Sequence, residues 1–173
     1  MTTGKAPGAG VLVVGYGNRL RTDDGLGWHA IEQLAEDPRV SGADLLWRHQ
    51  LTPELAVDFA QASLVILVDA SADVEPGAVA VRLLEPAVPD DRTLMSHHID
   101  PGSLLALAIE LYDRAPPVYV VGVGPFSMDD GDRISPALEL VMPQVVDLVA
   151  EIVAHCGQAA HEHMDNSESP GDS

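Results

Sequence analysis

The chain has 173 residues and a formal net charge of -18, from 27 acidic against 9 basic side chains. That length supports a single buried core, and so acidic a surface repels phosphate backbones and anionic lipid, which argues against nucleic acid or a membrane as partner. One cysteine, Cys156, excludes an internal disulfide framework and a four-cysteine zinc site, and no apolar run approaches the roughly 20 residues of a membrane span, so the expected compartment is the cytoplasm.

Residues 1 to 10 are expected to be flexible, with one lysine and no apolar segment ending in a cleavage site. Val11 to Gly15 is apolar without alternation, the pattern of a strand covered on both faces. Leu26, Ala30, Ile31 and Leu34 then share one face of a helix. A shorter strand is predicted over Ala43 to Arg48, and Pro53 opens a helix through about Ala62. The stretch SLVILVDAS holds a third strand, Leu64 to Val68, and residues 78 to 84 hold a fourth, followed by a proline-rich loop over 86 to 91. Asp100 to Tyr112 has helical periodicity, VYVVGVG at 118 to 124 is a fifth strand, and Pro136 opens a last helix to about His155. Strands alternating with helices predict an α/β domain over 11 to 155, a three-layer αβα sandwich whose mostly parallel, twisted sheet of about five strands is covered on both faces. The small, polar and acidic residues 156 to 173 are expected to be a disordered tail.

In such a sheet chemistry collects beyond the carboxyl ends of the strands. Three places qualify: Gly15 to Asp24, Asp69 to Ser71 and Gly122 to Pro125. The first begins like a dinucleotide fingerprint, but Leu20 stands where the third glycine is required, and Asp23 and Asp24 would oppose a phosphate. No nucleotide is therefore expected. A plainer reading has Thr22 or Asp23 as a helix N-cap with Asp24 in the first turn, which explains one acid more easily than two. Asp69 ends an apolar strand, either as a cap for the next loop or as a ligand or general base on a rigid scaffold. In SHHIDPGSLLALA, His97 and His98 are adjacent, so at most one faces a given site. Two carboxylates and an imidazole converging on one sheet edge form a donor set suited to a divalent transition metal, with a coordination position left open.

These segments, in order, resemble the maturation endopeptidases of [NiFe] hydrogenases. VLVVGYGNRLRTDDGLG is similar to that family's opening strand, its Gly-x-Gly-Asn turn and its acidic pair. VILVDAS resembles the strand with the second acidic ligand, SHHIDPGSLLALA the segment with the histidine, and VVGVGPFSMD the closing strand and loop. The resemblance implies metal-site positions at Asp24, Asp69 and His98. It implies one cut near the C-terminus of a hydrogenase large-subunit precursor, made once nickel has been inserted and with the nickel supplied by the substrate; the water is activated either by that metal or by one of the two aspartates, Asp24 or Asp69, as general base. It further implies a monomer.

Gly17 and Asn18 of the first turn are expected to leave clearance for a protein substrate's backbone. His49, Gln50 and Thr52 are expected to line its groove. The family's Asp-Gly-Gly-Thr-like stretch after the second strand is replaced here by RHQLTPE, residues 48 to 54, which resembles a subgroup serving bidirectional or actinobacterial-type hydrogenases. The alternative to an enzyme is a chaperone-like module that binds the nickel-loaded precursor without cutting it.

Overall fold

Three apolar runs rich in β-branched residues and a shorter run, DLLWR, pair side by side as strands. In a computed structural model that describes residues 10–88 and 99–165, they are β1 (Val11–Tyr16), β2 (Asp44–Arg48), β3 (Leu64–Ala70) and β5 (Val118–Val123), all parallel. The fifth strand, β4 (Val79–Leu83), runs antiparallel to β5 at the edge, and the order across the sheet is β2-β1-β3-β5-β4. The α/β expectation and its mostly parallel five-stranded sheet are thus met.

Strand parity sorts the core into two halves. Val11 and Val13 of β1 with Ile66 and Val68 of β3 face α1 (Leu26–Ala35) and the last helix, α5 (Met142–Asp165), meeting Leu26, Ala30, Leu34, Val145 and Val149. Leu12, Val14, Val65 and Leu67 face the other way, onto α2 (Leu55–Gln61) and α3 (Pro101–Tyr112), where they meet Leu55, Phe59, Leu104 and Leu105. Most of these side chains are wholly buried. At roughly 1.5–3 kcal/mol for each large apolar side chain removed from water, these two clusters are the main source of stability.

The chain leaves β1 toward β2 on one side and returns through α2 to β3 on the other. Right-handed crossovers in opposite directions place α1 and α2 on opposite faces. A crevice opens where the order reverses, between the carboxyl ends of β1 and β3.

Two boundaries differ from the sequence reading, and proline accounts for one of them. The helix opened by Pro136 is two helices, α4 (Pro136–Glu139) and α5, because Pro143 lacks an amide hydrogen and its ring collides with the carbonyl four residues earlier. Ser135 caps α4 by accepting the Leu138 amide at 3.3 Å. The segment expected to be a disordered tail from residue 156 continues α5 as far as Asp165. Gln158, Ala159, Ala160, Glu162 and Met164 are favourable helix residues, and α5 already supplies the costly nucleus.

Candidate active site

The crevice holds a pocket of about 380 Å³ lined by Tyr16, Gly17, Asp24, His49, Gln50, Leu51, Asp69, Ala70, Ile99, Asp100 and Pro101. Three carboxylates and an imidazole line it, with no lysine or arginine among the lining residues. Such a wall attracts a cation and repels an anion.

Asp24 and Asp69 reach this pocket by unrelated routes. β1 ends at Tyr16, and the chain turns back through a short 3-10 helix, Thr22–Gly25, before α1. Gly17, at φ 133°, makes the turn possible, since a Cβ there would sit 2.1 Å from the Asp24 carbonyl oxygen. The Asn18 amide then donates to Asp24 Oδ2 at 3.0 Å, fixing the half-buried carboxylate. The clearance expected for a substrate backbone at this turn is thus filled on one side by the chain's own Asp24. Gly15 behaves likewise: its Cβ would meet the Gly27 carbonyl oxygen at 2.1 Å, so strand and helix touch through two glycines.

Asp69 follows the β3 residues Val65 and Leu67 in parity, and therefore lies on the face of α2 and α3. Gly15 pairs with Val68, so Tyr16 and Asp69 are the next pair along the same two strands. The Tyr16 hydroxyl donates a hydrogen bond to the Asp69 carboxylate. Burial, together with the Asp24 charge, pushes Asp69 up to about 7, against the opposing pull of the Tyr16 hydroxyl and the Ala70 amide. Burial and the same carboxylate raise Tyr16 far above the usual phenol range, so its proton stays on.

Asp23 does something different from its neighbour. It is fully buried, and its carboxylate accepts from the Phe126 amide at 2.8 Å, the Ser127 amide at 3.0 Å, the Ser135 amide at 2.7 Å and the Ser135 hydroxyl at 2.9 Å. The capping role expected for Thr22 or Asp23 is not what the chain uses: the cap positions fall on Arg21 and Gly25, and neither makes a side-chain cap bond. The third candidate loop, Gly122 to Pro125, is absent from the pocket wall; the residues just after it bond Asp23 instead.

Of the remaining expected residues, Gly17, His49 and Gln50 line the pocket, with His49 exposed at its mouth. Asn18 and Thr52 do not line it; Asn18 acts through its backbone amide, while the Thr52 carbonyl accepts the Leu55 amide at 3.1 Å at the start of α2. His97 and His98 lie outside the described residues, and Ile99, which follows them, is in the pocket wall. Among the described residues no three His, Cys, Asp or Glu side chains gather closely enough to hold a metal; Asp24 and Asp69 line the same pocket, and the charge of Asp24 acts on Asp69. Carboxylate oxygens at one cation-attracting pocket fit a divalent metal that brings other ligands with it.

Tyr16 and Asp100 line the pocket without having been singled out. Tyr16 was legible only as the residue after an apolar run, whose parity with Leu12 and Val14 turns it toward the crevice. Asp100 reads as a helix start and is one, accepting the Ser103 amide at 3.0 Å.

No family model matches the chain, and no curated protein matches it. Solved structures do. The hydrogenase maturating endopeptidase HybD from E. coli superposes with a TM-score of 0.68 at 24% identity, over 86% of this chain and 94% of that one. The chain has the fold of the hydrogenase maturation proteases. A hydrogenase 2 maturation peptidase from Thaumarchaeota archaeon SCGC_AB-539-E09 matches at 26% identity and a TM-score of 0.60, over 83% of this chain and 97% of that one. The [NiFe] hydrogenase maturation protease HycI from Thermococcus kodakarensis KOD1 matches at 20% identity and a TM-score of 0.65, over 87% and 94%. Coverage is nearly complete on the side of these neighbours, so their fold is present here without a missing layer.

Proposed function

We propose that this chain is an endopeptidase that removes a short C-terminal peptide from the nickel-loaded large-subunit precursor of a [NiFe] hydrogenase. The observation that carries the reading is the arrival of Asp24, from the turn after β1, and Asp69, from the end of the neighbouring β3, in one cation-attracting pocket of a chain with the maturation-protease fold. Nickel belongs to the substrate in this reading, held by the substrate's own ligands. Asp24, Asp69 and His98 then complete its binding, two oxygen donors and one imidazole nitrogen. The substrate's nickel would supply Lewis-acid polarisation of the scissile carbonyl.

The chain's own groups divide the remaining work. Tyr16 occupies one side of the Asp69 carboxylate with a hydrogen bond and so orients the group. In the metal-free chain burial holds the proton affinity of Asp69 near 7; once nickel is bound, the carboxylate oxygen that is not on the metal takes the proton of the attacking water and returns it to the leaving amide nitrogen. Asp24, fixed by the Asn18 amide, stays a ligand. His49 and Gln50 at the mouth contact the substrate chain on either side of the cut. The encounter with the precursor is placed in the cytoplasm, and among the described residues no helix is long and apolar enough to cross a membrane.

The test is incubation of the purified protein with nickel-loaded precursor, followed by intact mass. Wild type should remove a short C-terminal peptide, while Asp24→Ala and His98→Ala should slow that cut at least about 100-fold, the scale expected when a positioning contact is lost. Equal cutting by the variants would contradict the assigned roles. Tight capture of the precursor without any mass loss would favour the chaperone-like alternative.

A further inference from the structure

We propose that Asp23 is the positioning residue of the site, fastening the loop from Phe126 to Ser135 against the acidic turn so that Asp24 is held in the pocket. The inference rests on the reading above for its catalytic consequence, though not for its geometry. A helix start needs one acceptor, whereas Asp23 receives four donors from three residues of another segment. A wholly buried carboxylate is costly unless hydrogen bonded on this scale, so the arrangement is built rather than incidental.

The backbone reinforces it on both sides. The Asp23 amide donates to the Ser127 carbonyl at 3.2 Å, the Thr22 amide to the Gly131 carbonyl at 3.0 Å, and the Gly131 amide to the Leu20 carbonyl at 3.0 Å. Thr22 is held at φ 40°, a conformation that a β-branched residue rarely adopts, and its hydroxyl donates to the Asp129 carbonyl at 2.5 Å. A strained residue persists only where its surroundings over-determine it, and here those surroundings are the same loop. Asp24 is the next residue, tied back by its amide to the Arg21 carbonyl at 2.9 Å and by its carboxylate to the Asn18 amide at 3.0 Å. Release of Asp23 therefore frees the turn that presents Asp24 and breaks the Asn18 contact.

Asp23→Asn keeps the volume and places an amide group against donors, and Ser135→Ala, a milder change, removes one donor. Val149→Ala, in the core on α5, serves as a control for lost stability, with temperature adjusted so that the variants are equally far below their melting points. The reporter is hydrogen exchange of the Asn18 amide in labelled, metal-free protein, followed by titration with Ni²⁺ alone. The expected result is exchange at least about 10-fold faster in Asp23→Asn, a smaller increase in Ser135→Ala and none in the control. Nickel affinity should fall in the same order. Unchanged Asn18 exchange in a folded Asp23→Asn would overturn the proposal, and so would equal acceleration in the control. Failure of the wild type to cut nickel-loaded precursor would count against the peptidase reading alone, because the exchange measurement decides the positioning role without it.

Discussion

Adjacent aspartates with opposite surroundings carry the residue-scale account. Asp23 is sealed among four donors, while Asp24 is half-buried at a pocket with one amide on its carboxylate. Asp69 adds a third environment, next to Tyr16 and pushed up to about 7 by burial first and by Asp24 second. A carboxyl whose folded pKa lies above its unfolded value stabilises the fold fully below the unfolded value, and that contribution is lost as pH rises through 7. In metal-free protein, Asp69→Asn should therefore gain stability relative to wild type between pH 4 and pH 8, by on the order of a few kcal/mol. Urea midpoints at the two pH values measure this, and a difference independent of pH would contradict the assigned environment. Of these residues the sequence disclosed Asp24 and Asp69, because acids in the loop after one apolar strand and at the end of another are conspicuous. It concealed the role of Asp23, whose donors lie about a hundred positions away in sequence and leave no local pattern.

At the scale of elements, the strands were readable because covered parallel strands are apolar over most of their length, as β1, β3 up to Val68 and β5 are. The antiparallel direction of β4 was not, since direction depends on how the chain returns rather than on which residues it contains. The contact between β1 and α1 is the element-scale feature most open to test. At Gly27 a Cβ would lie 2.4 Å from the Tyr16 amide nitrogen and 2.6 Å from its carbonyl oxygen, backbone atoms that cannot turn aside. Gly27→Ala should force α1 away from β1 and cost at least about 2 kcal/mol, the range of overpacked cores. Chemical denaturation checks the loss, and a variant as stable as wild type would mean that the helix has room to shift. Because Tyr16 and the acidic turn flank this contact, the same variant should also weaken precursor cleavage.

For the whole molecule, the reversal of strand order between β1 and β3 decides where chemistry occurs, and it does so before any side chain is considered. That rule was available from the alternation of strands and helices alone, which is why the site's location was legible when several of its contacts were not. Among the described residues, the buried side chains on α5 end at Val153, with Cys156 partly buried against the same cluster. Truncation after Cys156 should leave the melting temperature within about 2 °C of wild type, the spread expected for changes away from packed features. A larger fall would show that the end of α5 takes part in the fold.

The central claim is that a substrate carrying nickel is recognised at Asp24 and Asp69 and then cut. The most direct measurement is the intact mass of one large-subunit precursor, prepared with and without nickel and incubated with the same purified protein. The account predicts loss of a short C-terminal peptide from the nickel-loaded form only. Cleavage of both forms at equal rates, or of neither, would contradict it.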